Sequence, residues 1–418
     1  MTSARKIEVC AHWRGLDRPT TMGWLTATPV RGKEIFAFEY DQEWLARELH
    51  ARLDPSLGLF GGRQYPKSDR KNLGLFLDSS PDRWGRVLME RREAQQARAE
   101  GRPERTMLES DYLLGVHDDH RVGALRFRMG GPFLDDKQEM AAPPWTSLSE
   151  LEYASLQLEQ DDAESRPEYG KWLRMLISPG GSLGGARPKA SVVDERGGLW
   201  IAKFPSRNDP VDMGAWEWVV HELARRAGVI VPEAQVRKFG SAHHTYLSKR
   251  FDRTPSLERL HFASAMTLLE RNDGDDFTEG ASYLEMVELL EQVGANPTKD
   301  IQQLWRRIVF NICVSNVDDH LRNHGFMLED RGWTLAPAYD MNPDPNGHGL
   351  RLNISDTDNA LELDLAMEVA EVYRVKRAEE IAAEVIEAIS TWREKAAQVG
   401  LSRTAQDRME RAFSGQWS

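Results

Sequence analysis

Asn316-Val317-Asp318-Asp319-His320-Leu321-Arg322-Asn323 is the stretch from which the rest of the chain is read. It sets a carboxylate, Asp318, five residues before an amide, Asn323: a proton-accepting group and a neutral hard oxygen donor on one short loop. Upstream, Ile301, Leu304, Trp305, Ile308, Val309, Ile312 and Cys313 recur at helical spacing, so the loop follows an apolar helix face. Downstream, GFMLEDRGWTLAPAYD (325–340) reads as a hairpin turning at Asp330-Arg331-Gly332, and it delivers Tyr339-Asp340 at its far end. One helix, one loop and one hairpin thus bring two acids and an amide into a single local unit.

Two controls sharpen this reading. His117-Asp118-Asp119-His120 repeats the Asp-Asp-His, but five residues after Asp118 and Asp119 stand Gly123 and Ala124, which carry no ligating side chain, so a capped turn is expected there. His320 and His324 have the i, i+4 spacing of a zinc pair, yet the zincin pattern needs Glu directly after the first His, and Leu321 is there. His243-His244 falls in a turn and is assigned no role.

The earlier chain supplies parts that fit the loop. Gly180-Gly181-Ser182-Leu183-Gly184-Gly185-Ala186-Arg187-Pro188-Lys189 is a Gly-rich turn of neither Walker A nor G-x-G-x-x-G spacing. Fourteen residues after Lys189, Lys203 sits on an alternating strand that forms a hairpin with KASVVDE, and a helix over 214–227 carries Glu217 and Glu222, either of which could pair with that lysine. A protein kinase orders its parts in this way: Gly-rich loop, strand lysine, helix glutamate, an Asp with an Asn five residues on, then a metal-ligating Asp. In that template Asp318 is the catalytic base, Asn323 and Asp340 hold Mg²⁺, and Lys203 meets the ATP phosphates. The chain departs from it in having no His-Arg-Asp, and in having Met341-Asn342 where Phe-Gly would follow Asp340.

The expected fold class is α+β: a protein-kinase-like two-lobed fold, with a small mixed β lobe and a mainly helical C-terminal lobe, preceded by a small β-containing N-terminal subdomain. The three segments are 1–130, 131–252 and 253–418. In the first, KIEVCAHW, TMGWLTAT and EIFAFEY read as strands, with a turn at Arg31-Gly32-Lys33. Asp41 is placed to cap a helix over QEWLARELHARL, and a long helix starts after Ser80-Pro81 and stops at Gly101.

Composition narrows the class. The 418 residues are 40% hydrophobic and 29% charged, with 54 Lys and Arg against 66 Asp and Glu, a net charge of −12. Such a balance opposes unaided binding to nucleic acid phosphates. No apolar run reaches membrane-spanning length, the N-terminus has no signal-like segment, and the two cysteines, Cys10 and Cys313, show no ligand spacing. A cytoplasmic protein with reduced thiols and no membrane partner is the expectation.

Several of these residues together resemble the HipA family of bacterial serine/threonine kinases, the toxins of HipBA-type toxin–antitoxin pairs. The resemblance rests on Phe76-Leu77-Asp78-Ser79-Ser80-Pro81-Asp82-Arg83-Trp84-Gly85-Arg86, on Asp119-His120-Arg121-Val122-Gly123-Ala124-Leu125, on the stretch from Ser182 to Lys189, on Asn-x-Asp-Asp-His-x-x-Asn and on Tyr339-Asp340. It implies that the loop residues Gly184, Gly185, Ala186, Arg187, Pro188 and Lys189 cover ATP, that Lys249, Arg250 and Phe251 form the adenine hinge, and that His320 lies beside the phosphates. It further implies that Ser182 is autophosphorylated; of the two helix glutamates, Glu217 lies nearer the helix start and is the one expected to pair with Lys203. Lys249 stands where some members have an acidic hinge residue, and 260–276 departs from the best-known member.

The activity so implied is transfer of the ATP γ-phosphate, with Mg²⁺, to a protein hydroxyl and to the chain itself. The family's targets include aminoacyl-tRNA synthetases. A HipB-like DNA-binding antitoxin is the implied partner, with DNA reached only through it. Two other classes compete: a non-catalytic nucleotide-binding regulator acting through the antitoxin, and a small-molecule kinase.

Overall fold

The computed structural model describes residues 4–47, 52–133, 143–177 and 187–414. Its contacts divide the chain into two units, one of Met1–Asn208 with Asp252–Ala263 and the other of Asp209–Phe251 with Ser264–Ser418. These bounds differ from the three segments expected. Asp252–Ala263 joins the first unit for a concrete reason. The Gly123 N–H donates to Asp252 Oδ2 at 2.9 Å, and Arg253 donates to the carbonyls of Asp119, Arg121 and Gly123.

In the first unit, β1 (Arg5–Ala11), β2 (Thr20–Val30), β3 (Lys33–Tyr40) and β4 (Leu125–Arg128) form an antiparallel sheet of order β3-β2-β1-β4. The two residues at the β2–β3 turn, Arg31 and Gly32, both have positive φ, as a tight right-twisted hairpin requires. Around the sheet lie α1 (Gln42–Leu45), α2 (Gly74–Asp78), α3 (Arg83–Glu100), α4 (Glu109–Leu114), α5 (Leu148–Leu158) and α6 (Tyr169–Ile177). Asp41 caps α1 as expected, but the helix is only four residues long, and 48–51 lie outside the described residues. Asp82 caps α3 by accepting the Gly85 N–H at 2.7 Å, and Gly101 ends it in the left-handed region.

The hairpin β5 (Lys189–Val193) and β6 (Leu199–Lys203) completes this unit, with Lys189 directly opposite Lys203. Asp194 builds its turn by accepting from the Arg196 and Gly198 N–H groups and from the Trp200 indole. The expected Gly-rich stretch up to Ala186 lies outside the described residues.

The second unit opens with α7 (Met213–Arg226), then the hairpin β7 (Ala234–Arg237) and β8 (Thr245–Lys249). The short β9 (Phe262–Ser264), whose first two residues belong to the first unit, leads into α8 (Ala265–Leu268), α9 (Tyr283–Val293) and α10 (Pro297–Val314). The antiparallel pair β10 (Gly325–Glu329) and β11 (Gly332–Leu335) comes next, then α11 (Leu363–Glu368), α12 (Ala378–Ser390), α13 (Trp392–Gln398) and α14 (Arg403–Met409). The elements are those of the expected mixed α+β class.

The spine is α10. Pro297 starts it, where the missing N–H is not needed, and Ser315 ends it at φ 50°. All seven residues of its expected apolar face are buried, and so are Arg307, Phe310, Asn311 and Val314 on other sides. A helix buried nearly all round must partner its polar side chains: Asn311 does so with Asp319 in the loop after it, and Arg307 with the Ala336 carbonyl beyond β11. Truncating Ile308 to Ala would cost about 2–5 kcal/mol.

Candidate active site

The loop after α10 treats its two adjacent aspartates in opposite ways. Asp319 is buried: Asn311 on α10 donates to its Oδ2 at 2.6 Å, the Tyr283 hydroxyl on α9 also donates to it, and His324 Nε2 stands 3.0 Å away. Burial by itself would raise this carboxyl. The His324 imidazole and the Tyr283 hydroxyl outweigh that and hold it below the usual range. Asp318 points out with 73% of its side chain exposed, while its backbone carbonyl accepts from Asn323 Nδ2 at 3.0 Å.

That last bond decides what Asn323 can offer. With its NH₂ turned to the Asp318 carbonyl, its Oδ1 is presented on the opposite side as a neutral oxygen donor. Asp340 follows the β10–β11 hairpin at φ 58°, a left-handed conformation that aspartate tolerates better than most residues and that re-aims its carboxylate. Asn342 Nδ2 stands 3.4 Å from Asp340 Oδ1, and the Asn342 N–H is held by Asn316 Oδ1, so the loop and the segment after Asp340 are hydrogen-bonded together. An amide oxygen and a carboxylate are the hard donors that suit Mg²⁺. Among the described residues no three His, Cys, Asp or Glu side chains converge as a metal site, so a cation here would complete its shell from phosphate and water.

The buried Arg307 supports the same region. It donates to the Ala336 carbonyl, and burial pushes its guanidinium down to about 10, still charged at neutral pH beside Asp319 and Tyr339. Tyr339 in turn donates to the Arg322 carbonyl at 2.7 Å and packs its ring 5.6 Å from Phe251. Lys249 pairs at the surface with Glu233 at 3.1 Å, and Arg250 is buried. His320 donates its backbone N–H to the Asp318 carbonyl, and its Nδ1 is buried without a hydrogen-bond partner among the described residues.

The two candidate glutamates of α7 separate. Glu222 is committed to Arg225 at 2.9 Å. Glu217 is buried, and its charge reaches the fully buried Tyr246, whose phenol is pushed well above its ordinary value by burial first, then by Glu217, with Asp340 adding to it. Glu217 and Asp340 therefore share one electrostatic neighbourhood.

In the first unit, Lys189 turns its ammonium to Asp82 at 3.0 Å, with both side chains almost completely buried. A buried pair of this kind costs about 3–5 kcal/mol to break from one side, so Lys189 is not at liberty to follow a nucleotide. Lys203 stands across the hairpin from it, and Arg187 and Pro188 are the first described residues after the Gly-rich stretch. Ser182, Gly184, Gly185 and Ala186 lie outside the described residues.

The other Asp-Asp-His is the capped turn expected: a 3-10 turn over Asp118–His120, with His117 Nδ1 accepting the Asp119 N–H. Asp118 is buried against Arg126 at 2.7 Å and Arg259 at 3.2 Å. The pairing of His324 with Asp319 likewise disposes of the zinc spacing. Sequence reasoning missed Asn311, Tyr283 and Asp319 as anchors, since nothing in their local spacing marks them.

The description HipA-like C-terminal domain matches residues 181–393. Two proteins of Sinorhizobium fredii whose names mark a kinase assignment as provisional, Y4mE and Y4dM, are 36% and 30% identical over 34% and 35% of this chain. The serine/threonine-protein kinase toxin HipA of Shewanella oneidensis is 27% identical over 30% of it. Each match spans only about a third of the relative's own length, at 33%, 37% and 33% respectively. Among solved structures, HipA from the Shewanella oneidensis complex of HipA, HipB and operator DNA superposes with a TM-score of 0.66 at 17% identity, covering 97% of this chain and 96% of that one. With just over half its length matched by the family description, the chain belongs to the HipA family.

Proposed function

We propose that this protein is an ATP-dependent kinase that moves the γ-phosphoryl group to a Ser or Thr hydroxyl of a protein, and that a HipB-like antitoxin restrains it. The observation that carries the reading is the split between Asp319 and Asp318: one carboxylate is spent on anchoring the loop, which leaves the other exposed beside the Asn323 amide. An exposed carboxylate on an anchored loop is open to an acceptor hydroxyl and can take its proton.

In this reading Asp318 orients the acceptor hydroxyl and takes its proton, while Lys203 meets the phosphates and Glu217 holds that lysine. Asn323 and Asp340 would hold Mg²⁺, which when bound supplies charge neutralisation on the phosphates. The hinge at 249–251 would read the adenine through its backbone, with Phe251 braced by Tyr339. Lys189 is left out, because its ammonium is held by Asp82. The relative solved with HipB and operator DNA supports a HipB-like partner, through which an acidic chain would reach DNA. Autophosphorylation at Ser182 and an aminoacyl-tRNA synthetase as substrate belong to the same proposal. No helix among the described residues is long and apolar enough to cross a membrane.

The test is intact-mass and phosphopeptide analysis of the purified chain after incubation with Mg·ATP, with and without a lysate as substrate source. Phosphate on the chain or on a lysate protein is the expected result. Binding of ATP without any transfer would replace this reading with the non-catalytic regulator.

A further inference from the structure

The segment after Asp340 brings a cation to the proposed base that no kinase template assigned. Arg351 Nε stands 3.7 Å from Asp318 Oδ1, and its Nη1 donates to Asp276 Oδ2 at 3.2 Å. An exposed pair at that distance contributes little to stability, so folding alone is a poor account of it. Its surroundings are nevertheless built with care. Leu350 and Leu352 are buried on either side and turn Arg351 outward. The Arg351 carbonyl accepts the Phe277 N–H at 2.8 Å, and the Leu350 N–H donates to the Asn359 carbonyl at 2.8 Å.

Asp276 is fixed just as firmly. Its carboxylate accepts from the Thr278 N–H and hydroxyl at 2.9 and 2.7 Å, and its own N–H donates to Glu279. Arg271 holds the same loop through Glu285 and the carbonyls of Glu279 and Gly280. The stretch that departs from the best-known family member therefore ends in a rigid mount for one carboxylate, and that carboxylate aims one guanidinium.

We propose that Arg351 is a catalytic residue of the phosphotransfer, contacting the phosphoryl group in flight beside Asp318, and that Asp276 is the residue that positions it. This rests on the kinase reading proposed for the site. An acceptor hydroxyl bonded to Asp318 lies about 2.7 Å from its carboxylate, and Arg351 Nε stands 3.7 Å from Asp318 Oδ1, so the guanidinium and the reacting hydroxyl meet at one carboxylate. In the step, the acceptor oxygen bonds to the γ-phosphorus and its proton passes to Asp318. The bond from that phosphorus to the β,γ-bridging oxygen breaks, and the electron pair leaves with ADP. Charge spreads meanwhile over the three equatorial oxygens, which a planar guanidinium with a donor still uncommitted can meet.

The experiment uses the full chain, measuring kcat for phosphate transfer and Kd for Mg·ATP in the parent, Arg351→Ala, Arg351→Lys and Asp276→Asn. Arg351→Ala is expected to lower kcat by about 10²–10³-fold, as loss of one transition-state donor does, with Kd nearly unchanged. Millimolar guanidinium added to Arg351→Ala should restore part of the rate, which a purely structural role would not allow. Arg351→Lys should fall between Arg351→Ala and the parent, and Asp276→Asn should lose about tenfold or less of kcat, again at constant Kd. An active parent with an equally active or faster Arg351→Ala overturns the assignment, the faster case meaning that the side chain merely covers the base. A fall in rate that guanidinium cannot rescue also overturns it. A parent that transfers no phosphate removes the kinase reading and this inference with it.

Discussion

Two stretches of this chain carry Asp-Asp-His, and they bury opposite acids. In 117–120 the first aspartate, Asp118, is 2% exposed against two arginines, and the second, Asp119, is 64% exposed. In 316–320 the first, Asp318, is 73% exposed and the second, Asp319, is 6% exposed beneath it. The tripeptide by itself specifies only that one carboxylate goes in and one stays out. Function is decided by the elements that the buried acid anchors and by the residues on the C-terminal side of the exposed one. Asp118 ties a turn to Arg126 and Arg259, with Gly123 after it, whereas Asp319 ties a loop to α9 and α10, with Asn323 bonded back to the exposed acid's carbonyl.

The largest effect expected from this contrast is on chemistry. Asp318→Asn should reduce phosphate transfer by about 10²–10⁴-fold while the thermal melt stays near the parent's, measured as label incorporation beside a melting curve. Next comes Asp319→Ala, which strands Asn311, Tyr283 and His324 in the interior and should cost about 3–5 kcal/mol of stability in a denaturant titration. A parent-like denaturation midpoint for that variant would break the comparison from the buried side.

A smaller effect is on acid stability. Asp118 and Asp319 both titrate below the ordinary 3.8 of an aspartate, despite burial, because arginines act on the first and His324 and Tyr283 on the second. A carboxyl depressed in the folded state adds stability that is complete above the unfolded value and lost as pH falls through the folded one. Stability should therefore be insensitive to these two groups at pH 5–7 and decline below about pH 4. Asp118→Asn should flatten part of that decline in melts run as a pH series. Smallest of all, Asp119→Asn should change stability by no more than about 0.5 kcal/mol and leave transfer unchanged.

Much of the architecture was legible where local chemistry is decisive. Arg31-Gly32 marked a turn, Ser80-Pro81 and Gly101 bounded a helix, and the spacing from Ile301 to Cys313 marked the helix before the loop. The order of lysine, glutamate, Asp-x4-Asn and final Asp could also be read, because each part sits on its own short element. The hidden part is tertiary. Lys189 meets Asp82 across 107 positions, so nothing in the Gly-rich stretch could reveal that its lysine is already committed. Glu217 and Glu222 differ on paper only in distance from the helix start, whereas in the fold Glu217 is buried and Glu222 is committed to Arg225. Asn311 and Arg307 interrupt an apolar helix, and their reasons lie downstream, in Asp319 of the loop and in the Ala336 carbonyl after the hairpin. Arg351 carries no motif at all and is found only through Asp276 and Asp318.

The most direct test places Asp318→Asn and Asp119→Asn side by side, each an exposed aspartate of the same tripeptide, and measures phosphate incorporation from Mg·ATP per folded molecule. The account predicts that the first loses transfer and the second matches the parent. Equal activity in all three proteins, or an equal loss in both variants, would contradict it.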